Sequence, residues 1–210
     1  MLRYERDPAA IYAASFATVR DEARLDHLPE SLRDVAIRLV HACGMPDVTA
    51  RLAWSDDVTS AARRALASGA PVLCDCEAVA SMIVRNRLPG ENPVICTLND
   101  PETRAIAARI RNTRSAAAVR LWKEHLPGSV VAIGNAPTAL FHLLELLDEG
   151  WPAPAAILGF PVGFVGAAES KAELAAHRRA PFLTLRGRRG GSSLAAAAVN
   201  AFAAGLETPQ

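Results

Sequence analysis

The chain has 210 residues, 50% of them apolar, enough to bury a sizeable core without disulfides or a structural metal. Its formal charge of +1 excludes a global field that would recruit nucleic acid or an anionic membrane. No apolar run reaches the roughly 18 residues that a spanning helix needs, and Met1 to Asp7 has no signal-peptide layout. A soluble, cytoplasmic protein with a single domain over residues 1–210 is therefore expected.

In chain order, Asp7-Pro8 supplies an N-cap and a first-turn proline for a first helix, with Tyr12, Phe16, Val19 and Ala23 on its buried stripe and Ser15 at the edge. A second helix is predicted from about Pro29 to Cys43, closed by Gly44. Asp34, Arg38 and His41 follow at i, i+4 and i+7 along its polar face. His41 falls in the last turn, where the macrodipole favours imidazolium by about 0.3–1 kcal/mol if exposed, which suits a proton donor near neutral pH.

Beyond it the pattern alternates. Strand Leu52 to Trp54 precedes a helix that starts after Ser55-Asp56-Asp57 and closes at Gly69, and strand Val72 to Cys74 follows. Asp75 and Glu77 come next, placed either to meet a ligand or to cap the helix running to Val84, with capping preferred. Strand Val94 to Thr97 leads to Asp100-Pro101 and a helix to about Ile110. Ser115 is placed to cap the next helix, and Arg114 stands at that helix N-terminus, where guanidinium and dipole would both attract an anion.

Three glycine turns then follow three strands. Val130 to Ile133 meets Gly134-Asn135-Ala136-Pro137-Thr138 and a helix. Ala156 to Gly159 meets Phe160 to Gly166 and the helix from Ala167 to Ala176. Phe182 to Leu185 meets Arg186 to Ser193 and a helix to Ala204, with Gly205 to Gln210 expected to fray. Such turns leave backbone N–H groups pointing at a ligand, so the adjacent turns are expected to flank one crevice. Six strands with helices between most successive pairs predict a three-layer α/β/α, Rossmann-like fold with a mainly parallel sheet.

The motif content excludes several chemistries. No glycine turn has the G-x-G-x-x-G or G-K-[ST] spacing of a nucleotide site, and G-x-S-x-G and H-E-x-x-H are absent. The four cysteines (Cys43, Cys74, Cys76, Cys96) lack paired metal spacing and read as reduced structural thiols, and His27, His125, His142 and His177 stand singly. Among 23 basic residues only Lys123 and Lys171 are lysine. Arginine's planar fork suits a polycarboxylate ligand, although a coding bias that also enriches alanine accounts for such an excess, so each arginine is argued by position.

Several stretches together resemble the precorrin-8X methylmutase (cobalt-precorrin-8 methylmutase) family over nearly the full length. They are Tyr12-Ala13-Ala14-Ser15-Phe16, Arg38-Leu39-Val40-His41-Ala42-Cys43-Gly44, Asn112 to Ala118, Ile133 to Leu140, Pro161 to Gly166 with Glu169-Ser170-Lys171, and Gly187 to Ser192. The chain departs from the family's D-x-x-M-V-x-x-G-I pattern at Ala78 and Met82.

The resemblance implies a cofactor-free, metal-free isomerase of cobalamin biosynthesis that moves a methyl group from C-11 to C-12 of a corrinoid ring and gives hydrogenobyrinate. It implies His41 as general acid and Ser15 and Arg38 as substrate ligands. From the shape of that substrate, an apolar ring with acidic arms, Arg114 and the turns at Gly134, Asn135, Thr138, Gly163, Gly191 and Ser192 are expected to receive peripheral carboxylates. A homodimer with its pocket near the subunit interface, and hand-off to other corrin-pathway enzymes, follow from the same likeness. The alternative is a non-catalytic tetrapyrrole carrier with the same pocket, for which His41 would be dispensable.

Overall fold

The computed structural model describes residues 2–177 and 179–204, and the tail expected to fray lies outside them. The strands are β1 (Leu52–Trp54), β2 (Val72–Cys74), β3 (Val94–Cys96), β4 (Val130–Ile133), β5 (Ala156–Gly159) and β6 (Phe182–Leu185). They form one sheet in the order β1-β6-β5-β4-β2-β3. Every neighbouring pair is parallel except the edge pair, where β1 runs antiparallel to β6 with Leu52 opposite Leu185. The expectation of a mainly parallel sheet in an α/β fold therefore holds.

The helices are α1 (Pro8–Glu22), α2 (Glu30–Cys43), α3 (Val58–Ala67), α4 (Glu77–Met82), α5 (Pro101–Ile110), α6 (Arg114–Val119), α7 (Pro137–Asp148), α8 (Ala167–His177) and α9 (Ser192–Ala204). Successive strand residues point to opposite faces, which sorts the core into two layers. Val72, Cys74, Val130, Ala132 and Leu158 pack with apolar residues of α1, α2, α3, α4 and α9. Leu73, Val131, Ile133 and Ile157 pack with those of α6, α7 and α8. Burial on both faces is why the strands read as continuous apolar runs and not as alternating ones.

Helix boundaries follow local chemistry. Asp7 Oδ1 accepts the Ala9 N–H at 3.0 Å, Asp100 Oδ1 accepts the Glu102 N–H at 2.9 Å, and α2 ends on Gly44 at φ 67°. One expected cap moves. Thr113, the last extended residue, caps α6 through its hydroxyl on the Ala116 N–H at 3.1 Å, so Ser115 already lies in the first turn. No helix among the described residues is long and apolar enough to cross a membrane.

The three glycine turns sit side by side at the carboxyl ends of β4, β5 and β6, and they touch. A Cβ on Gly134 would lie 2.7 Å from Ser192 Cα, so only glycine lets the start of α9 approach β4 this closely. A Cβ on Gly190 would lie 2.3 Å from Phe160 O, which presses the third turn onto the second.

Candidate active site

The contact of α1 with α2 brings Ser15 to His41, Oγ to Nδ1 at 2.9 Å. Around that pair the His41 ring packs 5.2 Å from the Tyr12 ring and 5.0 Å from the Phe16 ring, centroid to centroid. The Arg38 guanidinium lies 5.9 Å from the Phe16 centroid. Tyr12, Arg38 and His41 open onto a cleft of about 330 Å³, which Met82, Val84 and Arg87 also line together with Ser193, Ala196, Ala197 and Asn200 of α9.

Two expectations about α2 are corrected. Arg38 is buried, at 6% exposure, because α1 covers this side of α2, whereas Asp34 stays exposed in a separate hollow with Arg20, Glu30 and Arg33. The line of acid, guanidinium and imidazole is therefore broken at the acid. Burial, and after it the Arg38 charge, hold the His41 pKa below its ordinary value of 6.5. The helix end pulls the other way, but its effect is small beside the desolvation of an imidazolium. Free His41 is thus a neutral imidazole at pH 7. With Ser15 on Nδ1, the nitrogen left for a ligand is Nε2.

Asp75 does neither of the things expected of it. Cys76 is the N-cap residue of α4, and the fully buried Asp75 carboxylate crosses to the first glycine turn. There it accepts the N–H groups of Gly134 at 2.9 Å, Asn135 at 3.0 Å and Ala136 at 2.8 Å. Burial raises the Asp75 pKa against the pull of those three donors and the Cys76 thiol. The N–H groups of Gly134 and Asn135, expected to face a ligand, are therefore already occupied, because an internal carboxylate fills the anion site that the turn creates.

The other turns are similarly engaged. Gly191 N–H donates to Phe160 O at 2.8 Å and Gly163 N–H to Arg188 O at 3.2 Å. Ser192 Oγ lies 3.5 Å from Cys76 Sγ, while its neighbour Ser193 reaches the cleft and brings the positive end of α9 to it. Under the third turn, Lys171 is buried and its Nζ donates to Arg189 O at 2.5 Å; burial draws its pKa down to about 8.

The remaining predicted residues lie elsewhere. Exposed Arg114 donates through Nη2 to Leu98 O at 3.0 Å and Asn99 Oδ1 at 2.8 Å, and Thr138 Oγ1 meets Thr113 Oγ1 at 2.8 Å. Of the predicted site residues the cleft is lined by Arg38 and His41, with Ser15 held to it only through the His41 ring, and Arg114, Gly134, Asn135, Thr138, Gly163, Gly191 and Ser192 lie outside its lining. Residues that the sequence did not mark for the cleft are Tyr12, read as core, and Arg87 and Asn200, which carry no local signal. Met82 had a signal, since it is one of the two departures from the family pattern, and it lines the cleft. Among the described residues, no group of three or more His, Cys, Asp and Glu side chains is placed to hold a metal ion.

Fold and cleft define an α/β protein that holds an imidazole beside buried guanidinium charge on a largely apolar wall. Residues 10–204 match the family model described as precorrin-8X methylmutase. A precorrin-8X methylmutase of Pseudomonas aeruginosa is 59% identical over 204 residues, covering 97% of this chain and 98% of that one. A cobalt-precorrin-8 methylmutase of Priestia megaterium is 34% identical over 197 residues, covering 92% and 86%. The solved structure of a precorrin-8X methylmutase from Thermus thermophilus superposes with a TM-score of 0.84 at 35% identity, covering 92% of this chain and 93% of that one. The chain belongs to the precorrin-8X methylmutase family, enzymes of the intramolecular transferase class.

Proposed function

We propose that this enzyme moves the C-11 methyl group of precorrin-8X to C-12, giving hydrogenobyrinate, with His41 as the general acid. The observation that carries the reading is the Ser15–His41 hydrogen bond of 2.9 Å at the mouth of a cleft that also holds Arg38. A sigmatropic methyl shift needs no external electrons. What it needs is a proton near the migration terminus and a dry, fixed ring. Ser15 fixes the imidazole, Tyr12 and Phe16 wall it from water, and Nε2 is free to serve the ring.

The lowered pKa of His41 is compatible with this role. A polycarboxylate entering beside Arg38 neutralises the charge that helps hold the imidazolium off, so substrate itself promotes protonation of its acid. Substrate and product are isomers, so the proton lent to the ring returns to His41 once the methyl group has moved. Arg114 keeps Nε and Nη1 without a partner among the described residues and is proposed, with the side chains of Asn135, Thr138 and Ser192, to meet the carboxylate arms, whereas the N–H groups of Gly134, Gly163 and Gly191 are spent inside the chain. The homodimer implied by the family likeness, and a place in the cytoplasm beside other corrin-pathway enzymes, belong to the same reading.

The deciding experiment is turnover of precorrin-8X by wild type, His41→Ala and His41→Asn, followed by absorbance. Loss of an acid costs about 10²–10⁴-fold in rate, while corrinoid affinity, which rests on apolar contact and arginine forks, is retained. Wild-type turnover by His41→Asn refutes the acid. Tight corrinoid binding with no turnover by wild type leaves the carrier reading instead.

A further inference from the structure

A guanidinium that lines a cleft and meets no counter-charge marks a place for an anion. Besides Arg38, the His41 cleft is lined by a second guanidinium, that of Arg87, and among the described residues by no Asp or Glu. Arg87 ends the short 3-10 turn Arg85–Arg87 and is half-buried. Its neighbour Arg85 folds back and donates through Nη2 to Ala80 O at 3.4 Å. The Arg87 guanidinium, by contrast, meets no hydrogen-bond or ion-pair partner among the described residues. An arginine that lines a cleft and spends none of its five donors internally is available to a carboxylate.

The wall that carries it is also fixed. Asn200, buried on α9, accepts the Val84 N–H at 2.9 Å through Oδ1 and donates to Met82 O at 3.1 Å through Nδ2. Both halves of the amide are satisfied, so the segment leading to Arg87 is pinned to α9. Met82 and Val84 remain 48% and 38% exposed, which gives the wall an apolar strip beside the guanidinium. That sequence of surfaces, apolar and then cationic, complements the rim of an apolar ring that ends in a carboxylate arm.

We infer that Arg87 is a substrate-binding residue that takes one peripheral carboxylate of the corrinoid through its fork, with Met82 and Val84 covering the adjoining ring edge. The inference rests on the corrinoid reading given above and names a contact within it.

The test measures the affinity of hydrogenobyrinate, and of a derivative with its carboxylates converted to amides, for wild type, Arg87→Gln and Arg87→Lys. Arg87→Gln is expected to weaken hydrogenobyrinate by about 10- to 100-fold and the amide derivative by less than about threefold. Arg87→Lys falls between, because an ammonium keeps the charge and loses the fork. Equal weakening of both ligands overturns the inference by showing that Arg87 only shapes the wall, and no weakening of either overturns it by leaving Arg87 in solvent. A wild type that binds neither compound overturns the corrinoid reading itself, whatever the Arg87 variants do.

Discussion

Asp75 and Gly134, 59 positions apart, are joined by a hydrogen bond of 2.9 Å from the Gly134 N–H to the Asp75 carboxylate. With Asn135 and Ala136 donating to the other oxygen, the end of β2 is tied to the turn after β4. Asp75→Ala leaves three N–H groups without an acceptor and is expected to cost about 3–5 kcal/mol. Asp75→Asn keeps one acceptor oxygen and should cost about 1–3 kcal/mol. Urea denaturation measures both, and a neutral Asp75→Ala would show that water replaces the carboxylate.

The depressed pKa of His41 fixes the sign of the pH profile. If the imidazolium is the acid, kcat/KM reports the free enzyme and declines as pH rises through a midpoint below 6.5. The kcat profile reports the complex, where substrate carboxylates offset Arg38, so its midpoint lies higher. In the free protein, Arg38→Gln should raise the His41 midpoint without restoring the ordinary value, because burial is the larger cause. Imidazole proton shifts followed by NMR read this directly, and an unchanged midpoint would discount the Arg38 charge.

Most of the fold was legible in the sequence because its signals are local. Strand runs buried on both faces, Asp-Pro helix starts and glycine stops each depend on a few neighbouring residues. The Ser15, Arg38 and His41 constellation was legible through family motifs. The imidazole's electrostatics were not, since they depend on α1 covering α2, a tertiary event that reverses what a helix end predicts. The same holds for the first glycine turn. Nothing near Gly134 reveals that Asp75 fills it, and nothing near Arg87 reveals that it borders the cleft.

Lys171 gives a stability signature at alkaline pH. Its pKa falls from 10.5 unfolded to about 8 folded, so the cost of burying its charge is full below pH 8 and is relieved as pH rises toward 10.5. At 1.36 kcal/mol per unit the relief approaches about 3 kcal/mol. Lys171→Met removes this dependence along with the bond to Arg189 O. The stability of wild type minus that of Lys171→Met is expected to rise between pH 7.5 and about 10. A flat difference would mean that Lys171 titrates as an ordinary exposed lysine.

Among the described glycines, the tightest approach is the contact between the second and third glycine turns at the carboxyl ends of the strands. A Cβ on Gly190 would lie 2.3 Å from Phe160 O and 2.5 Å from Pro161 O, both backbone atoms that no rotamer change can move. Phe160 O also accepts the Gly191 N–H at 2.8 Å, so shifting it breaks that bond. Overpacking and the lost hydrogen bond together put Gly190→Ala at about 3 kcal/mol, or about 6–12 °C in Tm. Gly44→Ala is the control, since its Cβ would meet nothing within 4 Å and the substitution costs only the strain of φ 67°. That strain is about 1–2 kcal/mol. Gly190→Ala should also slow turnover in whatever fraction remains folded, because the displaced turn carries Ser192 and Ser193 into α9 and so moves one edge of the His41 cleft. If thermal melts show Gly190→Ala no worse than Gly44→Ala, the two turns are not in backbone contact and the third is free to move on its own.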